Sequence, residues 1–132
     1  MSTRIIVDTS VWIEFFRDAS SPLSLQLQTL LRSGRVFLVG MVLAEILQGI
    51  KTKKEADLVK RSMNSLPYLE MDREIFQRAG ELSAELRRKG ITVPLSDLLI
   101  ASSAIHYDCE VLTIDPHFDS VPGLERHQTA KK

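Results

Sequence analysis

Short apolar runs, too brief for helices, alternate with longer stretches of helical periodicity, and this constrains the chain more than any other feature. Residues 4–7 contain Ile5, Ile6 and Val7 in a row, and residues 36–39 read Val36, Phe37, Leu38, Val39. Both suit buried strands. Residues 68–71 and 111–114 give two more, Thr92 to Pro94 a brief extended piece, and residues 124–127 a candidate edge strand. Between them lie helical patterns. Val11, Trp12, Phe15 and Phe16 form the first, and Leu23, Leu27, Leu30 and Leu31 the second, opened by Ser21-Pro22 and stopped by Gly34. Val42 to Ile50 and residues 53–65 supply two more, the latter ended by Pro67. Asp72 heads a long amphipathic helix with Ile75, Phe76, Ala79, Leu82 and Leu86 inward, closed by Gly90. Residues 97–106 are nearly apolar all round, the mark of a buried helix. Strand–helix alternation implies a three-layer α/β/α sandwich around a mostly parallel sheet. The 132 residues suit one domain, residues 1–132, with a frayed Lys131-Lys132 tail.

In such sheets ligands bind beyond the carboxyl ends of the strands. Asp8 follows the first strand and Asp115 the last one. Glu45 lies near the start of the helix leaving the second strand, and Asp97 heads the buried helix. Four carboxylates from distant segments are thus expected on one edge. Each has a plainer role. Asp8 and Asp97 suit helix caps, and Asp115 before Pro116 suits a turn. Glu45 is harder to dismiss, because Val42, Ala44, Ile46 and Leu47 around it read as buried and an inward carboxylate needs a partner. Held together, four acids repel and raise one another's pKa unless a cation intervenes. No lysine or arginine adjoins them in sequence. A divalent ion is the economical counter-charge, and oxygen ligands suit Mg2+ or Mn2+.

Other acid-lined α/β sites fit poorly. A phosphatase working through an aspartyl phosphate needs an aspartate two residues after Asp8, where Ser10 stands. A receiver domain needs an acidic pair at Asp8, a phospho-accepting aspartate after its third strand and a lysine at its last. Here Asp8 has no acidic neighbour, Asp72 is a helix cap and Asp115 has no lysine beside it. Gly-rich phosphate loops are absent. A metal-dependent phosphodiesterase remains.

The segments Ile6-Val7-Asp8-Thr9-Ser10-Val11-Trp12 and Leu43-Ala44-Glu45-Ile46-Leu47-Gln48-Gly49 resemble the opening motifs of PIN-domain proteins. Pro94-Leu95-Ser96-Asp97-Leu98-Leu99-Ile100-Ala101 and Val111-Leu112-Thr113-Ile114-Asp115-Pro116-His117-Phe118 resemble their closing motifs. The match spans nearly the whole chain, at a length similar to that of VapC toxins of toxin–antitoxin pairs. The resemblance implies Mg2+- or Mn2+-dependent RNA cleavage, a homodimer, and inhibition by a VapB-like antitoxin. It assigns metal binding to Asp8, Glu45, Asp97 and Asp115, with Ser10 and Thr113 as supporting hydroxyls. Two departures stand out. Ile114 fills a place often held by arginine or asparagine. A second acid often lies two residues past the last aspartate, whereas His117 stands there, with Asp119 two further on.

Composition sets the remaining expectations. With 17 basic and 17 acidic residues, no global field draws the chain to RNA. Only local stretches such as Lys51, Lys53, Lys54, Lys60 and Arg61, or Arg87 to Lys89, offer phosphate contacts. The lone Cys109 points to a reducing compartment, and no apolar stretch nears the ~20 residues that cross a bilayer. With Met1 to Arg4 running straight into the first strand, a cytoplasmic protein without membrane association is expected. The rival from another class is a catalytically inactive PIN-fold binding module that holds RNA or a protein partner.

Overall fold

Four short strands form one sheet in a computed structural model that describes residues 3–130; the tail expected at Lys131 and Lys132 lies outside them. The strands are β1 (Ile5–Val7), β2 (Val36–Val39), β3 (Tyr68–Leu69) and β4 (Glu110–Leu112), in the order β3-β2-β1-β4. Every pairing between them is parallel. Six helices connect them: α1 (Thr9–Arg17), α2 (Pro22–Arg32), α3 (Gly40–Gln48), α4 (Lys53–Asn64), α5 (Arg73–Arg88) and α6 (Leu95–His106). A five-residue 3-10 turn, Pro116–Ser120, follows β4. The chain steps from β1 to β2 to β3 in one direction, then returns past both to β4. Right-handed crossovers in opposite directions lie on opposite faces, which makes the three-layer α/β/α arrangement. The order of strand addition reverses between β1 and β4, and their carboxyl ends flank a crevice there.

Local chemistry accounts for most boundaries. Ser21 caps α2 through the Ser24 amide with Pro22 in the first helical position, and Asp72 caps α5 through the Ile75 amide. Gly90 takes a φ of 78° just past α5, a left-handed turn that favours glycine. Ile5, Ile6, Val36, Val39 and Val111 are buried between the helical layers. The α6 helix is buried from Asp97 to Ala104, as its all-round apolar sequence requires.

The structure departs from the sequence reading in several places: β3 stops at Leu69, β4 runs from Glu110 to Leu112 rather than over residues 111–114, and Phe16 is exposed. The α6 helix starts at Leu95, two residues before the expected Asp97, and Pro94 takes the capping position. Phe76 is about half exposed. The buried stripe of α5 is Ile75, Ala79 and Leu86, and Phe76 sits one residue, about 100°, off it. Ala44 is exposed, because α3 turns Val42 and Ile46 inward. Residues 124–127 contribute a single parallel bridge, Val111 to Arg126, rather than a strand.

Candidate active site

Parallel register places the ends of β1 and β4 side by side. Ile5 pairs with Glu110, Ile6 with Val111 and Val7 with Leu112, so Asp8 and Thr113 emerge together. The Asp8 amide donates to the Leu112 carbonyl at 2.9 Å. Its carboxylate caps α1, and three donors converge on Oδ2: the Thr113 hydroxyl at 2.8 Å, the Ser10 hydroxyl at 2.6 Å and the Ser10 amide at 3.4 Å. The Asp115 amide donates to the Thr113 hydroxyl at 3.0 Å, and the Ile114 amide to the Ser10 hydroxyl at 3.3 Å. Ser10 and Thr113 therefore tie the two strand ends together and hold Asp8, which is only 3% exposed, in one orientation.

Glu45 lies in the second turn of α3, half-buried, and its Oε1 accepts the Thr9 hydroxyl at 2.8 Å. The role of Thr9 in orienting Glu45 is not visible in the sequence. The signal for it is position: the residue after Asp8 faces the helix next door. Asp115 caps the 3-10 turn, accepting the His117 amide at 2.9 Å. His117 then folds back, its Nδ1 lying 3.0 Å from Asp115 Oδ1 and 3.3 Å from Asp97 Oδ2.

Asp97 is placed differently from a surface carboxylate. It sits inside the first turn of α6, makes no capping hydrogen bond and is 7% exposed. The capping role open to it in sequence therefore does not apply. Burial, then the charges of Asp115, Asp8 and Glu45, push its pKa from 3.8 up to about 6, with His117 partly opposing them. Asp8, Glu45 and Asp115 thus all lie within electrostatic reach of Asp97. A folded-state pKa raised above the unfolded value means that the charged carboxylate opposes folding above about pH 6. That opposition fades as the pH falls from 6 towards 4.

Among the described residues no lysine or arginine forms an ion pair with any of the four acids. Ligand atoms of Asp97, Asp115 and His117 lie within 4.8 Å of one another, a grouping that can hold a metal ion. Repelling, mostly oxygen donors without a fixed counter-charge fit a hard divalent cation. Asp119 does not join this group; it points to Arg126 instead, and the two form an ion pair.

The PIN domain profile matches residues 5–124, nearly the whole chain. The chain belongs to the PIN-domain family. It is 32% identical over 130 residues to the ribonuclease VapC11 of Mycobacterium tuberculosis, covering 96% of this chain and 97% of that protein. The fold of this PIN domain matches that of DNA-bound VapBC from Salmonella typhimurium with a TM-score of 0.82 at 23% identity, over 96% and 98% of the two chains. Rickettsia felis VapBC2, solved with a fragment of its promoter DNA, gives 0.80 at 24% identity over 93% and 96%.

Proposed function

We propose that this PIN domain is a divalent-metal-dependent endoribonuclease acting as the toxin of a toxin–antitoxin pair. The observation that carries the reading is the meeting of Asp8, Glu45, Asp97 and Asp115 at the sheet's switch point, with Asp97 destabilised as an anion. Similarity to VapC ribonucleases along nearly the full chain supports the substrate class. Asp8, Asp97 and Asp115 would hold Mg2+ or Mn2+, with Glu45 facing the same ion. A bound ion supplies water activation near neutral pH and charge neutralisation at the phosphate. The chain's own part is orientation. Ser10 and Thr113 occupy Asp8 Oδ2, Thr9 occupies Glu45 Oε1, and the remaining oxygens are available to an ion.

RNA backbone contacts come from α4, whose Lys53 and Lys54 are exposed, together with Lys51 just before it. Arg87 and Arg88 lie in the last turn of α5, where cations suit the helix end, and Lys89 pairs with Glu85 at 3.8 Å. These three read as solvated surface. Cleavage of structured RNA, assayed on total tRNA and rRNA, is expected with Mg2+ or Mn2+ and is expected to stop in excess EDTA. The products should carry 5′-phosphate and 3′-hydroxyl ends. Undiminished cleavage in chelator removes the metal mechanism, and no cleavage in either condition favours the binding module.

Inhibition and assembly have a surface at hand. Ile13, Phe16 and Leu58 are exposed apolar side chains around an open groove of about 520 Å3 that reaches Glu45. Leu25 is a further exposed apolar side chain on α2, whereas Leu23, Leu27 and Leu30 are consumed by the chain's own core. Trp12 is buried too, stacked on Phe16 at 5.9 Å. An amphipathic antitoxin segment laid in this groove would end beside the carboxylates, and the remaining patch would be covered by a second copy in a homodimer. Ile13→Glu with Leu58→Glu should leave the melting temperature nearly unchanged, since both positions are exposed. Light scattering of this double variant, co-expressed with its VapB-like antitoxin, should show no captured antitoxin. Full capture would move the antitoxin to another face. For the wild type alone, a strictly monomeric mass at high concentration would remove the homodimer.

A cytoplasmic location accords with the buried, unpaired Cys109, whose thiol pKa is raised by burial. Among the described residues no helix is long and apolar enough to cross a membrane.

A further inference from the structure

The geometry points to His117 as a nitrogen ligand of the metal site, giving this chain a mixed nitrogen–oxygen donor set that favours Mn2+ over Mg2+. The inference rests on the metal reading above and concerns which ion the site prefers. His117 stands where an all-oxygen site would take a second acid, and the next acid along, Asp119, is held away by Arg126. Of the two ionisable side chains within the 3-10 turn, only the imidazole joins the cluster.

The placement of His117 is built in. Asp115 caps the turn by accepting the His117 amide, and Pro116 restricts the backbone at its first position. Phe118, 1% exposed, anchors the next residue in the core. Between these fixed points the ring returns over the carboxylates. Its Nδ1 lies 3.0 Å from Asp115 Oδ1 and 3.3 Å from Asp97 Oδ2. Adjacent ligands of an octahedral ion, each about 2.1 Å from the metal, are about 3.0 Å apart. The imidazole nitrogen thus sits at the spacing of a neighbouring ligand to both aspartates. An ordinary histidine–carboxylate hydrogen bond has a similar length, so the deciding readout must be the metal's own. Magnesium favours oxygen donors and retains its water, whereas imidazole nitrogen suits later divalent ions better. Loss of the ligand should therefore weaken Mn2+ binding more than Mg2+ binding.

The test uses the tag-free full chain and two ions. Pulsed EPR of bound Mn2+ should show nitrogen-14 coupling in the wild type, absent in His117→Asp. Titration calorimetry should show the wild-type preference for Mn2+ over Mg2+ falling about tenfold in His117→Asp, which restores an all-oxygen set. Mn2+ bound to the wild type without His117-dependent nitrogen coupling, or an unchanged preference in the variant, overturns the inference while leaving the carboxylate metal site intact. A wild type that binds neither ion removes the metal reading and this inference together.

Discussion

Asp97→Asn is expected to lower RNA cleavage on the order of 100-fold or more while the protein stays folded. The substitution is nearly isosteric, and Asp97 caps nothing, because Pro94 occupies the capping position of α6. What changes is one buried negative charge in a partly exposed cluster. In EDTA at pH 7.5 the variant should melt at or above the wild-type temperature, since the charge removed is repelled by Asp115, Asp8 and Glu45. The sign with pH follows from the raised pKa of about 6. Wild-type Asp97 is charged above that value and opposes folding. It takes up a proton as the pH falls from 6 towards 4, so the difference between the two proteins should close over that window. Calorimetric melts across pH 4–7.5 check this together with a cleavage assay. A variant that loses stability in EDTA at neutral pH, or retains wild-type cleavage, contradicts the proposed role of Asp97.

Much of the scaffold is legible in the sequence. Runs such as Ile5-Ile6-Val7 have a single economical use in a small domain, and strand–helix alternation then forces parallel pairing. Asp8 and Asp115 were legible as neighbours because each directly follows a strand, and parallel strands end on the same edge. Asp97 reads in the sequence as the head of the buried helix, whereas α6 begins two residues earlier. Leu95 and Ser96 already belong to α6, and a proline that starts a helix gives no side-chain cap to mark the boundary. The relation between Thr9 and Glu45 depends on how α1 and α3 pack, which no local pattern encodes. The orientation of His117 was equally hidden, because it depends on a turn whose form comes from Asp115, Pro116 and the buried Phe118 acting together. Phe76 shows the converse error, in which a large apolar residue near a buried stripe is credited to it although its angle points elsewhere.

The four-carboxylate site makes a further large and specific demand on thermodynamics. A ligand that binds only the folded chain stabilises it by mass action, about 2.7 kcal/mol at a concentration 100 times its dissociation constant. In this protein part of that binding energy comes from relief of the repulsion by Asp115, Asp8 and Glu45, which together with burial pushes the Asp97 pKa to about 6. The most direct measurement is therefore the melting temperature as a function of Mn2+ concentration, at pH 7.5, for the wild type and Asp97→Asn. The account predicts a wild-type temperature that climbs by several degrees with Mn2+, returns on adding EDTA, and rises far less in the variant. Equal responses of the two proteins, or none in the wild type, would contradict a metal site made by Asp8, Glu45, Asp97 and Asp115.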